Sequence, residues 1–139
     1  MPKQQSVTQT TPLSKAKSPP ILFARTQEVI NAIEAKLGER LLTYWNSPSG
    51  SICNSDVIGL YGILRIIGRS DRLSFFIKSD GGSGQASLRM VNLLRQYVKR
   101  LTALVPLECE SAATMLALGA DKTLMPARPS FRRRHLSDP

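Results

Sequence analysis

The sequence predicts an α/β fold with a mostly parallel sheet. The chain has 139 residues, a length typical of one domain, and 42% of its residues are apolar, which is enough for a packed core. Segments with helical spacing alternate with short apolar runs of strand length. Helices and strands that alternate in this way form a sheet of parallel strands with helices packed against it.

The first helix and strand are predicted in the segment after residue 25. Thr26 can cap a helix that Gly38 ends. The apolar residues of this helix recur at helical spacing: Val29, Ile30, Ile33 and Leu37. Arg40 to Trp45 then has the length and composition of a short strand.

A second helix and strand are predicted after the loop Asn46 to Ser55. Asn54 or Ser55 can cap the helix. Its inner face is expected to carry Val57, Leu60, Tyr61, Leu64 and Ile67. Leu73 to Lys78, rich in β-branched and aromatic residues, is the clearest strand of the sequence.

The remaining elements follow a glycine-rich turn, Ser79 to Gly84. An amphipathic helix is predicted from Gln85 to Arg100, and a strand from Leu101 to Val105. The inner face of that helix is expected to carry Leu88, Val91, Leu94, Val98 and Leu101. A helix of small residues from Ser111 to Leu118 and a short strand from Thr123 to Met125 complete the order.

Charge divides the chain into three parts. Residues 1–25 form a predicted disordered arm with net charge +4, and residues 126–139 form an irregular basic tail with net charge +3. Only +2 of the total of +9 remains for the predicted domain, residues 26–125. A nucleic acid is therefore not the expected partner, although Arg132 to Arg134 could form a weak, salt-sensitive tether to phosphates.

Membrane, disulfide and metal sites are not expected. The chain has no uninterrupted apolar stretch of about 18 residues and no readable signal peptide. Cys53 and Cys109 make neither a disulfide framework nor a zinc site, and Cys109 is expected to be a small buried residue. We therefore predict a cytoplasmic protein without a membrane span, cofactor or metal.

Two strand ends of the predicted sheet could carry chemistry, because ligands of open α/β sheets bind beyond the carboxyl ends of the strands. The first is Gly81-Gly82, where backbone N–H groups can face an incoming oxygen without side-chain obstruction. Its alternative interpretation is a tight strand-to-helix turn. The sequence lacks a GxGxxG dinucleotide fingerprint here, since Ala86 and Ser87 follow Gly84.

The second strand end is Glu110-Ser111-Ala112-Ala113-Thr114. A serine in the first turn of a helix lies beside unpaired N–H groups, and the small alanines leave room for a substrate. Serine is also a favoured N-cap, so these residues alone leave a capping role open.

Together the two motifs resemble a known family. SDGGSGQASLRMVNLLR (79–95), VPLECESAATMLALGAD (105–121) and, more loosely, KTLM (122–125) resemble the serine dehydrogenase proteinase family. This family is part of the larger group that contains the Clp proteolytic subunit, signal peptide peptidase A and crotonase. The resemblance covers about 100 residues, and the usual later strands and C-terminal part are missing, so a C-terminally truncated member is expected.

The resemblance implies a Clp/crotonase-like fold of stacked ββα units and hydrolysis of peptide bonds through a serine acyl-enzyme. Ser111 matches the nucleophile, Gly81 or Gly82 matches one oxyanion donor, and the N–H of Ala112 matches the other. The resemblance also implies homo-oligomers, a peptide or protein substrate and no cofactor.

The general base is the open question of this interpretation, because a serine nucleophile needs a group that takes its proton. His135, the only histidine, follows Ser111 by 24 residues, a spacing similar to that of the Clp relatives. It lies in FRRRHLSDP, which departs from the family's Pro-x-Ser and Gly-Pro-Ile/Leu-Asp segments, and a solvated tail residue is its alternative role. A Ser-Lys dyad with Lys78, Lys99 or Lys122 is the other precedent, and solvated surface lysines are the alternative for all three.

The leading hypothesis is therefore a serine-type peptidase. The alternative is a non-catalytic Clp/crotonase-like module for interaction or assembly. An acyl-CoA enzyme of the crotonase type would share the fold, but the serine at the start of the helix favours hydrolysis.

Overall fold

Four parallel strands form the sheet of the protein, in the order β1-β2-β3-β4. The structure is a computed structural model that describes residues 22–127. Its elements are α1 Leu22–Leu37, β1 Arg40–Trp45, α2 Asn54–Ile67, β2 Ser70–Lys78, α3 Gly84–Tyr97, β3 Val98–Leu104, α4 Ala112–Leu118 and β4 Lys122–Leu124. The predicted alternation of helices and strands is confirmed.

The hydrophobic core lies between one face of the sheet and helices α2, α3 and α4. Leu42, Phe75 and Ala103 occupy paired positions of β1, β2 and β3 and are all buried. Leu73 and Ile77 lie on the same face of β2 and are completely buried. Alternate residues of a strand point to opposite faces, so this register directs one face of the sheet to the helices.

Helix α1 contacts β1 and lies at one edge of the sheet. It begins at Leu22, so Thr26 lies inside the helix and the prediction that Thr26 caps it is wrong. The Glu34 carboxylate of α1 accepts the Leu41 N–H at 2.8 Å, which joins the helix to β1. Apart from residues 22–25, 126 and 127, the predicted arm and tail lie outside the described residues.

The inner faces of two helices differ from the prediction. Tyr61 of α2 is 46% exposed, although Leu60 and Leu64 are buried as expected. Leu88 of α3 is 52% exposed, because Met90 and Leu94 face the core and a residue two positions before Met90 lies on the opposite side of the helix.

The boundary between α3 and β3 also differs. Helix α3 ends at Tyr97, and the three residues from Val98 to Arg100 belong to β3 rather than to the helix. They lie opposite the start of β2, where Ser70 pairs with Val98 and Arg72 with Arg100. Strand pairing therefore outweighs the helical periodicity of this segment.

No helix within residues 22–127 is long and apolar enough to cross a bilayer.

Candidate functional site

The glycine turn after β2 lies beside the segment that leads into α4. Strand pairing continues past the ends of β2 and β3 as an isolated bridge between Ser79 and Cys109. The Ser79 N–H donates to the Glu108 carbonyl at 2.9 Å, and the Glu110 N–H donates to the Ser79 carbonyl at 3.0 Å. The two motifs that the sequence singled out therefore meet at the carboxyl edge of the sheet.

Gly81 is in direct contact with Ser111. A Cβ atom at position 81 would lie 2.7 Å from the Ser111 Cβ and 3.2 Å from the Ser111 Oγ. The φ angle of Gly81 is +111°, a conformation that side chains with a Cβ rarely adopt. Glycine is thus required here both by the backbone conformation and by the approach of the serine.

Gly82 is held in the turn by the strand-like segment at Ile52. The Ile52 N–H donates to the Gly81 carbonyl, and the Ser83 N–H donates to the Ile52 carbonyl, each at 2.9 Å. Because successive N–H groups of an extended chain alternate in direction, the N–H of Gly82 points away from Ile52. That N–H has no acceptor among the described residues, whereas the N–H of Gly81 donates to the Ser79 Oγ at 3.1 Å.

Ser111 has a strained backbone. Its φ of 51° and ψ of −126° make it the one non-glycine residue with positive φ in the described part of the chain. Such a conformation costs on the order of 1–3 kcal/mol and is concentrated at functional sites. A strained serine on a turn that leads into a helix also occurs in the nucleophile elbow of hydrolases.

The Ser111 hydroxyl is not used as a helix cap. Ser111 occupies the N-cap position of α4, but its side chain makes no capping hydrogen bond. The Ala113 N–H donates to the Glu110 carbonyl at 2.9 Å, and the Thr114 N–H donates to the Ser111 carbonyl at 3.0 Å. The Ala112 N–H, next to Ser111 in the chain, has no acceptor within residues 22–127, and the same holds for the Gly82 N–H in the glycine turn.

Cys109 lies near the serine but is kept in the thiol form. Its side chain is half-buried, and burial raises the pKa of the Cys109 thiol. The thiol donates to the Ala113 carbonyl at 3.2 Å. A protonated thiol is a poor nucleophile, and Cys109 packs against the core in the loop before α4, half-buried where the sequence predicted a buried residue.

The three lysines considered as bases have other environments. The Lys78 ammonium lies 5.4 Å from the centre of the Trp45 ring. Lys99 forms a 2.7 Å ion pair with Asp71 at the amino-terminal edge of the sheet, away from the glycine turn. Lys122, the first residue of β4, lines a cavity that it shares with Arg72 and Glu39. His135 lies outside the described residues.

Asp121, which lies near the predicted site in sequence, makes hydrogen bonds that hold elements of the fold together. Its carboxylate accepts from Arg95 and from the Leu101 N–H, each at 2.7 Å. The Arg95 guanidinium and the Leu101 N–H hold the pKa of the Asp121 carboxyl below its usual value. These bonds connect α3, β3 and the start of β4, so Asp121 belongs to the framework of the fold.

Sequence reasoning missed Ser79 as a residue that shapes the site. Its side chain is completely buried, and its hydroxyl donates to the Asn46 Oδ1 while accepting the Gly81 N–H. Ser79 therefore holds the glycine turn through its bond to Gly81 and joins it to the segment after β1 through its bond to Asn46. The available signal was its place directly after an apolar strand, with Asn46 directly after the preceding one.

No group of three or more His, Cys, Asp or Glu side chains within the described residues could hold a metal ion.

Comparison with solved structures identifies the fold. The chain is similar to the ClpP1 N165D mutant from Listeria monocytogenes, with a TM-score of 0.50 and 19% sequence identity over 69% of this chain and 51% of that chain. The chain therefore has a Clp-like α/β fold, and it spans about half the length of that ClpP1 chain. No family model matches the sequence, and no curated protein matches it.

Proposed function

We propose that this chain is a serine-type peptidase domain of the serine dehydrogenase proteinase type. The observation that carries the proposal is the conformation of Ser111: a strained backbone, a hydroxyl that caps nothing, and direct contact with Gly81. The proposed domain comprises residues 26–125. A peptide or protein substrate, homo-oligomers and a cytoplasmic location belong to the same proposal, and its chemistry requires no cofactor.

The proposed reaction begins with attack of the Ser111 Oγ on the scissile carbonyl carbon. The serine proton passes to a general base and then to the leaving amine, which departs as the C–N bond breaks. Water hydrolyses the resulting ester, restoring the serine and releasing the new carboxyl group.

The N–H groups of Gly82 and Ala112 are the proposed donors to the oxyanion. Both lack an acceptor within residues 22–127, and they belong to the two segments that the Ser79–Cys109 bridge brings together. Gly81, the other candidate, is less suited because its N–H already donates to Ser79. Loss of one such donor reduces kcat by about 10²–10³ in comparable sites.

His135 is the proposed base, on the grounds of chain direction and reach. Leu124, at the end of β4, pairs with Leu104 at the end of β3, so the chain leaves the sheet at the edge where Ser111 lies. His135 follows Leu124 by eleven positions, and a fully extended chain of that length spans at most about 36–40 Å.

A non-catalytic module is the second candidate function, and one observation favours it. Residues 22–127 contain no histidine, Lys99 pairs with Asp71 at the opposite edge of the sheet, and the Lys78 ammonium lies over the Trp45 ring. The Clp-like fold would then serve interaction or assembly alone.

Labelling with a fluorophosphonate, measured by intact mass, distinguishes the two functions. The peptidase proposal predicts one adduct on the wild type, none on Ser111→Ala, and an unchanged rate on Ser49→Ala, a matched substitution in an exposed loop. His135→Gln should slow labelling by on the order of 10²-fold or more.

Circular dichroism of each variant shows whether the fold is retained. Absence of an adduct on folded wild-type protein would contradict the peptidase proposal and support the non-catalytic module. An adduct that persists at full rate in His135→Gln would assign the base to another residue.

A further inference from the structure

The cavity at Lys122 lies on the face of the sheet that points away from α2, α3 and α4. It has a volume of about 340 Å³, and its lining includes Arg72 of β2 and Arg100 of β3. Leu73 and Leu101, each directly after one of these arginines, are completely buried in the core, so the arginines point to the opposite face. A cavity of this volume is large enough to hold a small ligand.

Three positive charges lie on three consecutive strands of this cavity. Arg72 and Arg100 occupy paired positions of β2 and β3, and like charges at opposite positions of neighbouring strands destabilise a sheet. Lys122 lies on the next strand, where it pairs with Thr102, two residues after Arg100. Because neighbouring strands are about 4.8 Å apart, the three long side chains can reach one ligand.

Glu39 holds Arg72 in an orientation that leaves its outer nitrogens open. The Glu39 carboxylate accepts from the Arg72 Nε at 2.8 Å and from the Ser74 hydroxyl, so both of its oxygens are engaged. The two terminal nitrogens of Arg72 have no acceptor among residues 22–127. Arg72 can therefore donate a fork of N–H groups to an anion while it keeps its ion pair with Glu39.

Arg100 and Lys122 have neither an ion pair nor a hydrogen bond through their side chains within the described part of the chain. The nearby Asp121 carboxylate accepts from Arg95 instead, and Arg100 adds to the lowering of the pKa of Asp121 through its charge alone. The Thr102 hydroxyl, next to both cations in the sheet, also has no partner in the same part of the chain. An arginine, a lysine and a hydroxyl are therefore left open in one cavity, and these are donors that phosphate groups bind.

We propose that this cavity binds a phosphate dianion, either free or carried by a small phosphomonoester. Arg100 and Lys122 compensate the charge of the dianion, and Arg72 and Thr102 supply further directed donors. The bound anion lies between the two opposed arginines and removes their repulsion. Leu124, which is 42% exposed and also lines the cavity, offers an apolar contact for the carbon part of a phosphomonoester.

The cavity is far from Ser111 in the fold. Arg72, Arg100 and Lys122 lie within the first three residues of their strands, whereas Ser111 lies beyond the carboxyl ends of the same sheet. Phosphate binding at this cavity is therefore independent of the proposed peptidase activity.

Isothermal titration calorimetry of the full chain with inorganic phosphate, at slightly alkaline pH where phosphate is a dianion, tests the proposal. Binding should saturate at one phosphate per chain, and chloride at matched ionic strength should give no saturable signal. Arg100→Gln and Lys122→Gln should each weaken binding by about 10-fold or more, because each removes a charge-assisted hydrogen bond. Arg65→Gln, at an exposed position of α2 on the other face of the sheet, is the charge-matched control and should bind like the wild type.

A titration with phenyl phosphate distinguishes the two sources of the dianion. Its ring can contact Leu124, so tighter binding than that of inorganic phosphate, reduced in Leu124→Ser, supports a phosphomonoester as the ligand. Equal or weaker binding of phenyl phosphate supports free phosphate.

Absence of saturable phosphate binding by the folded wild type overturns the proposal. Binding at full strength in both Arg100→Gln and Lys122→Gln also overturns it, because phosphate would then bind elsewhere. A chain that binds a single-stranded oligonucleotide in a salt-dependent manner but not phosphate would have a surface for polyanions instead of this site. Circular dichroism on each variant separates loss of binding from misfolding.

Discussion

The proposed function depends above all on the backbone conformation of one residue, Ser111. Its positive φ would relax if the loop before α4 were free, but Glu108 and Glu110 bond to both sides of Ser79. The loop therefore enters α4 in one path, and Gly81 closes over the serine from the other side. The strain is held in place by hydrogen bonds between segments that are about 30 residues apart in sequence.

Substitution of Gly81 tests this closure. Gly81→Ala should lower the free energy of unfolding by at least about 2 kcal/mol. The new Cβ would lie 2.7 Å from the Ser111 Cβ, and the alanine would have to adopt a φ of +111°. If the peptidase proposal holds, the variant should also lose fluorophosphonate labelling. Urea unfolding followed by circular dichroism measures the first effect.

Gly84→Ala is the matched control for that measurement. A Cβ at position 84 would lie 3.6 Å from the Met115 Sδ, an ordinary contact, so the change should be within about 0.5 kcal/mol. Equal stability of Gly81→Ala and Gly84→Ala would show that the turn is not closed against Ser111.

At the scale of the elements, the position of α4 depends on its close packing against α3. Gly119 follows α4, and a Cβ atom there would lie 2.5 Å from the Val91 Cγ1. Its φ of −71° is ordinary, so the requirement for glycine at this position comes from the neighbouring helix and not from its own backbone. Since α4 begins at the residue after Ser111, this contact also bears on the site.

A double-mutant cycle between Gly119 and Val91 measures this packing. Gly119→Ala alone should destabilise the fold by about 1–3 kcal/mol through overlap with Val91. Val91→Ala removes the overlapping atoms, so the double variant should be more stable than the sum of the single effects predicts, by about 0.5–3 kcal/mol. Strict additivity in urea unfolding would mean that the two helices adjust without contact between these positions.

At the scale of the whole molecule, three carboxylates connect neighbouring parts of the sheet. Glu39 accepts from Arg72 at 2.8 Å and also from Ser74, Asp71 pairs with Lys99, and Asp121 pairs with Arg95. Burial opposes ionisation of Glu39, but its bonds to Ser74 and Arg72 prevail, and the pKa of its carboxyl is lowered from 4.5. The partners Lys99 and Arg95 likewise lower the pKa of Asp71 and of Asp121 from 3.8.

The protein should therefore lose stability in acid. A carboxyl with a lowered pKa in the folded state binds fewer protons than in the unfolded chain. Its contribution to the free energy of unfolding is therefore complete above pH 4.5 for Glu39 and above pH 3.8 for the aspartates. That contribution disappears as the pH falls through each folded pKa.

Urea unfolding at pH 7 and pH 3 measures the acid effect. Glu39→Gln should be less stable than the wild type at pH 7, and the difference should shrink at pH 3. Glu28→Gln, at an exposed position of α1, is the charge-matched control and should follow the wild type. If the difference in stability between Glu39→Gln and the wild type does not change with pH, the lowered pKa of Glu39 is contradicted.

Much of the fold could be read from local patterns. The order of elements, the parallel sheet, the limits of β1 and the pairing of the glycine turn with the Ser111 segment all follow from periodicity, turn residues and the direction of parallel strands. These features depend on residues close in sequence, or on a rule that applies to any α/β sheet, so they need no knowledge of distant contacts.

Other features depended on contacts between distant segments. Val98 to Arg100 became strand because β2 begins early enough to pair with them, and Leu88 became exposed because Met90 and Leu94 set the rotation of α3. The strain at Ser111, the closure by Gly81 and the buried role of Ser79 come from hydrogen bonds between β2 and the loop before α4. Sequence alone determined which elements form and which two motifs meet. The tertiary structure decided which face of each helix is buried, where each element ends and the conformation of Ser111. Strand pairing and close packing between distant segments outweigh local preference at these points.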